Sequence, residues 1–238
     1  MTFKGWQKTS LIEYHGKVST VVFTGGCNFR CPFCYNSELV ERPHQLADLS
    51  SDTVLQYLKE NVGLHQAVVV TGGEPTLNPD LPDFFTRVKE LDLCTGLETN
   101  GTNPEIVAVL LERGLVNYVA MDVKAPLAWV PYSRAAGLTR GGEALLDNVR
   151  RTLEHLKSAS VEIELRCTVV PRIHTPEDIL RLAGQLQGFP NFVLQQFSSE
   201  SGTLDPRLRD RKPFDVEVLT ELHREIKPLF PRCELRGI

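Results

Sequence analysis

The sequence predicts an α/β protein in which buried strands alternate with helices around a parallel sheet. Six short apolar runs suited to strands are separated by segments with helical spacing, the pattern of right-handed β–α–β units. Polar motifs follow the strands directly, and no linker or repeat interrupts the alternation. Six such units fit either a doubly wound sheet or an incomplete barrel.

The composition is that of an ordinary globular protein. The 238 residues are enough for one domain with a substantial core, so we expect residues 1–238 to form a single unit. A net charge of −4 gives no general attraction to nucleic acid, and we expect no direct nucleic acid binding. The sequence has no apolar run of membrane-spanning length and no signal-peptide pattern, which predicts a cytoplasmic protein with reduced cysteines.

One stretch departs from the acidic average. Arg207, Arg209, Arg211 and Lys212 form a basic cluster within six residues. This cluster is either a solvated loop or a surface that binds a partner.

The elements follow from apolar runs and from helix signals. Strands are predicted at residues 18–23, 67–71, 95–98, 116–123, 161–170 and 191–197, with 233–238 as an edge strand. Helices are predicted at residues 51–60, 81–90, 104–113, 143–157, 176–186 and 214–229, with Ser51 capping the first. Residues 1–16 are predicted as a polar lead-in to a core of about 17–230, and residues 37–50 and 127–142 as irregular.

The polar motifs share one position relative to the strands. The cysteine loop at 25–36 and the motifs at 72–75, 99–101, 122–124 and 198–202 each lie at or just beyond the carboxyl end of a strand. Parallel strands bring these ends to one rim, which is where barrels and open α/β sheets bind ligands. We therefore expect one site on this rim.

Three cysteines on the first loop predict a metal centre. Cys27, Cys31 and Cys34 follow the spacing C-x3-C-x2-C, and one loop can turn three thiolates toward a common centre. A four-iron cube held by three cysteines keeps one iron without a protein ligand. Such an open position is the mark of a catalytic metal site.

Other interpretations of the three cysteines stay open at this point. A structural zinc site would need a fourth ligand, for which His44, Cys94, Cys167 and Cys233 are the candidates. The cysteines could also be unligated thiols. A disulfide is disfavoured, because neighbours on a tight loop seldom reach the required geometry.

The same residues carry a family resemblance. The pattern C-x3-C-x-aromatic-C resembles the signature of radical S-adenosylmethionine (SAM) enzymes. Residues 34–36, Cys-Tyr-Asn, look like the Cys-His-Asn continuation of enzymes that activate glycyl-radical proteins, although Tyr35 replaces the usual histidine. The run 3–14 is similar to the activating proteins of anaerobic ribonucleoside-triphosphate reductase.

The resemblance implies a fold, two cofactors and two partners. The fold would be a partial (β/α)6 TIM-like barrel, and the three cysteines would hold a [4Fe-4S] cluster whose open iron binds SAM. One-electron reduction of SAM would yield a 5′-deoxyadenosyl radical that takes a hydrogen atom from a glycine of a partner enzyme. That partner would be a glycyl-radical enzyme, in particular the anaerobic (class III) ribonucleotide reductase, and the electron would come from a flavodoxin- or ferredoxin-type donor.

The first cofactor-binding motif after the cysteine loop is at residues 72–75. Gly72 and Gly73 permit close backbone approach, and Glu74 offers an acceptor for the ammonium group of SAM. A plain turn would explain the same residues. The resemblance favours SAM binding.

The next two motifs are expected beside the cofactor. The resemblance places Asn100 near SAM, although an Asn-Gly turn is the simpler explanation. It places Asp122 and the catalytic Lys124 at the active site, although an exposed ion pair would also fit. Thr99 and Asp122, with Glu98, could further hold a monovalent cation.

Three further residues complete the predicted site. Arg166 lies on a strand and could pair with the SAM carboxylate, and we expect a partner for so buried a cation. Alternation predicts that either Gln195 or Gln196 faces the lumen, with Gln196 taken as the site residue, and Asn36 after the last cluster cysteine is a further candidate. The six histidines show no ligand spacing and are predicted to lie on the surface or in loops.

Two other functions compete with glycyl-radical activation. One is a radical SAM enzyme that acts on a small molecule, such as a deazapurine precursor, or on a peptide. The other is a non-catalytic metal-binding module.

Overall fold

The computed structural model describes residues 1–200 and 202–238. Its strands are β1 (Thr2–Phe3), β2 (Gly5–Ser10), β3 (Ser19–Thr24), β4 (Leu49–Ser50), β5 (Ala67–Gly72), β6 (Cys94–Thr99), β7 (Tyr118–Asp122), β8 (Glu162–Val169), β9 (Asn191–Gln196) and β10 (Arg232–Arg236). Its α-helices are α1 (Ser37–Glu41), α2 (Ser51–Glu60), α3 (Leu81–Lys89), α4 (Pro104–Glu112), α5 (Trp129–Ala136), α6 (Glu143–Lys157), α7 (Pro176–Gln185) and α8 (Val216–Ile226).

The centre is an eight-stranded sheet in the order β10-β9-β8-β7-β6-β5-β3-β2. All neighbours from β3 to β10 are parallel, and β2 closes the other edge antiparallel to β3. Each step along the parallel run carries a crossover that includes a helix, which is the arrangement of a partial (β/α) barrel. The predicted fold class is confirmed, and β10 confirms the predicted edge strand.

The two faces of the sheet bury different side chains. The outer face packs against the helices in one large apolar cluster that includes Phe85, Leu110 and Leu156. The inner face holds a small second cluster, in which the rings of Tyr14 and Tyr118 pack at a tilt with their centroids 5.0 Å apart. Tyr14 comes from the turn between β2 and β3, so the first residues of the chain fill the lower lumen.

The predicted lead-in at residues 1–16 is wrong. Gly5–Ser10 forms the edge strand β2, and Thr2–Phe3 pairs with Leu49–Ser50 as a separate two-stranded sheet. Residues 7–9 are exposed, and the pairing is irregular between Gln7 and Ser10. These are the usual features of a protected edge strand, and they hide the strand's apolar pattern.

Two segments predicted as irregular contain helices. Residues 37–50 include the short helix α1, and residues 127–142 include α5, which ends at Gly137 in a left-handed conformation. The cap of α2 is Ser50 and not Ser51, because the Ser50 hydroxyl accepts from the Thr53 amide. No helix of the described residues has the length and apolarity needed to cross a membrane.

Candidate active site

All thirteen predicted site residues line one cavity of about 340 Å³ at the carboxyl rim of the barrel. They are Cys27, Cys31, Cys34, Asn36, Gly72, Gly73, Glu74, Thr99, Asn100, Asp122, Lys124, Arg166 and Gln196. The motif at residues 198–202 contributes Ser198 to the same wall, and its Ser201 lies outside the described residues. The rim argument therefore located the cavity, while the role of each residue stays a prediction.

The cysteine loop is held in place by backbone hydrogen bonds. The Gly26 amide donates to Leu39 O at 2.8 Å, and the Arg30 amide donates to Ala136 O at 2.9 Å. Gly137 is required beside the second bond, since a Cβ there would lie 2.0 Å from Arg30 O. The helices α1 and α5, both absent from the sequence prediction, thus fix the loop that carries the cysteines.

Gly72 and Gly73 are required by close backbone packing. A Cβ on Gly72 would lie 2.4 Å from Thr24 N, and one on Gly73 would lie 1.9 Å from Gly26 O. The Glu74 amide donates to Gly26 O at 2.8 Å in the same contact. The close approach predicted from the glycines is therefore made first of all to the cysteine loop.

Glu74 is buried, and its carboxylate is held by four donors. Oε1 accepts from the amide and hydroxyl of Thr76 and from the Thr99 hydroxyl, and Oε2 accepts from the Asn100 amide at 2.7 Å. Burial raises the pKa of Glu74, and these hydrogen bonds oppose the rise. Glu74 therefore joins the ends of β5 and β6, and a SAM ammonium would have to share Oε2 with Asn100.

Asn100 connects the β6 turn to the first cysteine. Its side-chain Nδ2 donates to Asn28 Oδ1 at 2.9 Å and lies 3.7 Å from Cys27 Sγ. Its Oδ1 accepts from the backbone amide and the hydroxyl of Thr102, and Asn28 Nδ2 donates to the same hydroxyl at 2.7 Å. Asn100 therefore makes hydrogen bonds within its own turn and also lies beside the first predicted cluster cysteine.

Asp122 and Lys124 form an ion pair at the end of β7, with Lys124 Nζ 2.9 Å from Asp122 Oδ2. The lysine side chain is 15% exposed and that of the aspartate 46%, so the pair faces the cavity more than bulk solvent. Burial lowers the pKa of Lys124, but Asp122 and Cys31 outweigh it and raise the pKa. The lysine is thus a fixed cation beside the cysteine loop.

His174 lies in the loop between β8 and α7, as predicted for histidines on the surface or in loops, but it is buried behind Lys124. Its Nδ1 accepts from the Val170 amide at 3.0 Å, so Nε2 carries the proton that it donates to Lys124 O at 2.7 Å. Burial lowers the pKa of His174 to about 4. His65 is likewise buried and contacts Lys8 O.

Arg166 has the buried partners that the sequence led us to expect. Its guanidinium donates to Glu98 at 2.6 Å, to Glu164 at 2.5 Å and to the Tyr118 hydroxyl at 2.9 Å. Glu98 also accepts from Thr71. A SAM carboxylate would have to compete for Arg166, and the predicted cation would have to compete for Glu98.

The inward position at the end of β9 belongs to Gln195, by the pairing with β8. Gln195 is in register with Thr168, and both face the lumen with Arg166. The predicted Gln196 also touches the cavity, but it is buried and donates to Phe214 O at 2.8 Å. Alternation alone could not decide between two adjacent glutamines.

Sequence reasoning missed part of the cavity wall. Glu13 does not line the wall itself but lies near Glu98, and burial together with Glu98 raises its pKa to about 7. Tyr35 lines the cavity with 60% of its surface exposed, and burial of its polar end, followed by Glu98 and Asp122, raises its pKa to about 12. Tyr35 could have been predicted, because it directly follows the last cysteine of the motif, whereas nothing in the sequence pointed to Glu13.

The donor set fits an iron–sulfur cluster. Within residues 1–200 and 202–238, no three His, Cys, Asp or Glu side chains surround a point where a single metal ion could bind. A [4Fe-4S] cluster needs a different arrangement, because each thiolate binds its own iron atom and the three sulfurs lie apart from each other. Burial raises the pKa of Cys27 to about 11 and that of Cys31 to about 12, so iron binding must displace protons.

The alternative zinc ligands lie elsewhere. Among the described residues, none of His44, Cys94, Cys167 and Cys233 lines the cavity with the three loop cysteines. All six cysteines are free thiols. The loop therefore offers three sulfur ligands and no fourth, which is what an open iron requires.

Comparison with known proteins agrees with this site. The family model of the radical SAM superfamily matches residues 21–186, which is most of the chain. The chain therefore belongs to the radical SAM superfamily. That family implies a [4Fe-4S] cluster and SAM, and it supports an enzyme over a non-catalytic metal-binding module.

Curated relatives divide into one long match and several partial ones. A Methanocaldococcus jannaschii protein, provisionally named a glycyl-radical enzyme activating enzyme, is 31% identical over 192 residues, or 79% of this chain and 76% of the relative. A Halobacterium salinarum protein, provisionally named GTP 3′,8-cyclase, is 32% identical over 56% of this chain and 38% of its own. The PqqA peptide cyclase of Methylorubrum extorquens is 38% identical over 42% of this chain and 26% of its own.

Solved structures share the fold. SuiB of Streptococcus suis, crystallised with S-adenosylmethionine, superposes with a TM-score of 0.68 at 17% identity over 91% of this chain and 50% of SuiB. QueE of Escherichia coli superposes with a TM-score of 0.58 at 16% identity over all of this chain and 94% of QueE. At these identities the likeness concerns the fold alone.

Proposed function

We propose that this radical SAM enzyme installs a glycyl radical on a partner enzyme. The observation that carries the proposal is the 31% identity over 76% of the archaeal relative named for that activity. The Cys-Tyr-Asn continuation after the last cysteine and the run 3–14 support the same class. The run 3–14 favours the anaerobic ribonucleotide reductase as partner, with a flavodoxin- or ferredoxin-type protein as reductant.

In this proposal the chain supplies placement. The bound cluster and SAM would provide one-electron cleavage to a 5′-deoxyadenosyl radical, which is chemistry of the cofactors themselves. Cys27, Cys31 and Cys34 would hold the cluster, and the backbone at Gly73 would border the cofactor next to it. Lys124, fixed by Asp122, would place a positive charge at the reacting end of the cavity.

Anaerobic activity measurements test the proposal. Protein reconstituted with iron and sulfide should convert SAM to 5′-deoxyadenosine with dithionite, and an added class III ribonucleotide reductase should acquire a glycyl radical detectable by electron paramagnetic resonance. Cys31→Ala should abolish both results. Cys233→Ala, a half-buried thiol on β10, should preserve them. Cleavage of SAM without any glycyl radical on that partner would reject the partner, and no cleavage would reject the enzyme.

Small-molecule or peptide substrates are the alternative outcome. The two cyclases match this chain over only 38% and 26% of their own lengths, so most of each cyclase has no counterpart in the matched region. If GTP or a peptide consumed the deoxyadenosyl radical and the ribonucleotide reductase did not, the alternative would replace our proposal.

A further inference from the structure

Residues 203–212, which we call the basic segment, lie against the cysteine loop. The Asp205 amide donates to Pro32 O at 2.8 Å. Pro32 stands between Cys31 and Cys34, so this hydrogen bond joins the segment to the loop that would hold the cluster.

The basic segment is anchored from below. Thr203 and Leu208 are buried, and the Thr203 hydroxyl donates to Asp205 O at 2.8 Å. A short 3-10 turn at Pro206–Leu208 gives the backbone a fixed course. The segment therefore presents its outer side chains at a defined distance from the loop.

The outer side chains are mainly cationic. Arg207 is 89% exposed and pairs with Asp205, while Arg209 and Lys212 are exposed and form no salt bridge within the described residues. The segment holds four basic and two acidic residues in a chain whose net charge is −4. Exposed Arg30, on the cysteine loop itself, adds a further cation near Pro32.

The basic segment lies outside the cavity. None of its residues lines the cavity wall, whereas the cysteines on the other side of the loop do. A molecule bound to the segment would therefore leave the cavity free for SAM and substrate. It would contact the protein where the Asp205 amide meets Pro32 O, so the loop that carries the three cysteines offers a path for an electron.

We infer that the basic segment docks an acidic one-electron carrier protein that reduces the cluster through the cysteine loop. The inference rests on the proposed radical SAM function, which needs one electron for each SAM cleaved. The reduced carrier loses one electron and the cluster gains it, and no proton or chemical group is transferred. Opposite charges on two proteins raise their association rate and make it sensitive to salt.

Charge reversal distinguishes docking from catalysis. The test variant is Arg209→Glu with Lys212→Glu, and the matched control is Lys59→Glu with Arg181→Glu, two exposed cations on α2 and α7. Both variants change the net charge equally. The affinity of flavodoxin for each variant is measured by calorimetry at low ionic strength, where the test variant should bind more weakly than the wild type and the control should not. SAM cleavage is measured under the same conditions with reduced flavodoxin as the carrier and, separately, with dithionite.

We expect the test variant to lose about tenfold in the flavodoxin-driven rate, within the range of electrostatic steering. Its dithionite-driven rate should equal that of the wild type, which also shows that it folds and carries the cluster. The control should match the wild type with both reductants. Added salt should slow the wild type with flavodoxin and remove its advantage over the test variant.

Several results would overturn the inference. Equal flavodoxin-driven rates in the wild type and the test variant would exclude docking at the segment. Equal losses of rate in the test variant and the control would show that only the net charge matters and not its location. Normal flavodoxin-driven cleavage with a lower glycyl-radical yield would assign the segment to the substrate protein. Absence of dithionite-driven cleavage in the wild type would refute the proposed function itself.

Discussion

The two halves of the rim are held in place by different kinds of contact. In the half formed by the ends of β3, β5 and β6, backbone lies directly on backbone, as at Gly73 and Gly26, and the buried Glu74 receives four hydrogen bonds. In the half formed by β7, β8 and β9, charged side chains neutralise each other, as Lys124 does with Asp122 and Arg166 does with Glu164.

The difference indicates two tasks. In the backbone half, main-chain atoms of neighbouring loops lie so close together that no side chain fits between them, and any movement would break these contacts. This half is therefore suited to hold a cofactor in one position. In the side-chain half, a charged ligand can replace one member of an ion pair and bind the other. Substitutions should therefore disrupt the first half by collision and the second by unpaired charge.

The sharpest test of the backbone half is Gly73→Ala. The new Cβ would lie 1.9 Å from Gly26 O, and backbone cannot yield as a flexible side chain can. We expect a loss of about 3 kcal/mol or more in the free energy of unfolding and little iron bound after reconstitution. Denaturant titration and iron analysis measure the two effects.

Gly184→Ala is the matched control. Gly184 lies in α7 with no atom near the position of a Cβ, and alanine is the better helix former by up to about 1 kcal/mol. This variant should be as stable as the wild type or more so and should bind the same iron. Normal iron binding by Gly73→Ala would show that the two loops are not rigidly coupled.

The sequence predicted the rim better than the contacts within it. The motif at 72–75 could be placed from the strand before it, because parallel strands end together. That Gly73 faces Gly26 could not be predicted, since the contact depends on the curl of the sheet. The partners of Arg166 were also out of reach, because Glu98 is 68 positions away. Helix α5 was missed for lack of a side-chain cap at Ala128.

The side-chain half is tested by Arg166→Gln. This change leaves the buried Glu164 and the half-buried Glu98 without their shared cation, although Arg236 still contacts Glu164. Breaking a buried ion pair from one side costs about 3–5 kcal/mol, and we expect the lower end here because of Arg236. Thermal unfolding should show the loss, while Arg151→Gln, which removes the exposed pair with Glu105, should leave the midpoint unchanged.

A pH titration tests the support behind Lys124. The pKa of His174 is lowered to about 4 in the fold against about 6.5 unfolded, so the unfolded chain binds the extra proton between these values. The contribution of His174 to stability is therefore complete above pH 6.5 and falls by about 2–3 kcal/mol as the pH falls to 4. Asp178 and Arg134 face the ring and act in opposite directions.

Denaturant titrations from pH 4 to 7 measure this slope. His174→Gln should have a shallower slope than the wild type in this window, because its side chain cannot titrate. His15→Gln, which changes an exposed histidine, should keep the slope of the wild type. Parallel pH profiles for the wild type and His174→Gln would contradict the buried neutral imidazole.

The smallest expected effect is on the cluster's midpoint potential, through the contact of Asn100 in the backbone half with the predicted metal centre. Asn100 Nδ2 lies 3.7 Å from Cys27 Sγ, and a donor to a cluster thiolate favours the reduced state. Asn100→Ala should lower the midpoint potential of the reconstituted cluster by about 40 mV, the equivalent of about 1 kcal/mol for one electron. Redox titration followed by electron paramagnetic resonance measures the shift. Thr102→Val removes the hydroxyl bonded to Asn100 Oδ1 and keeps the amide near the sulfur, so its potential should match the wild type. An equal shift in both variants would assign the effect to loosening of the turn, and the contact with Cys27 would then have no part in setting the potential.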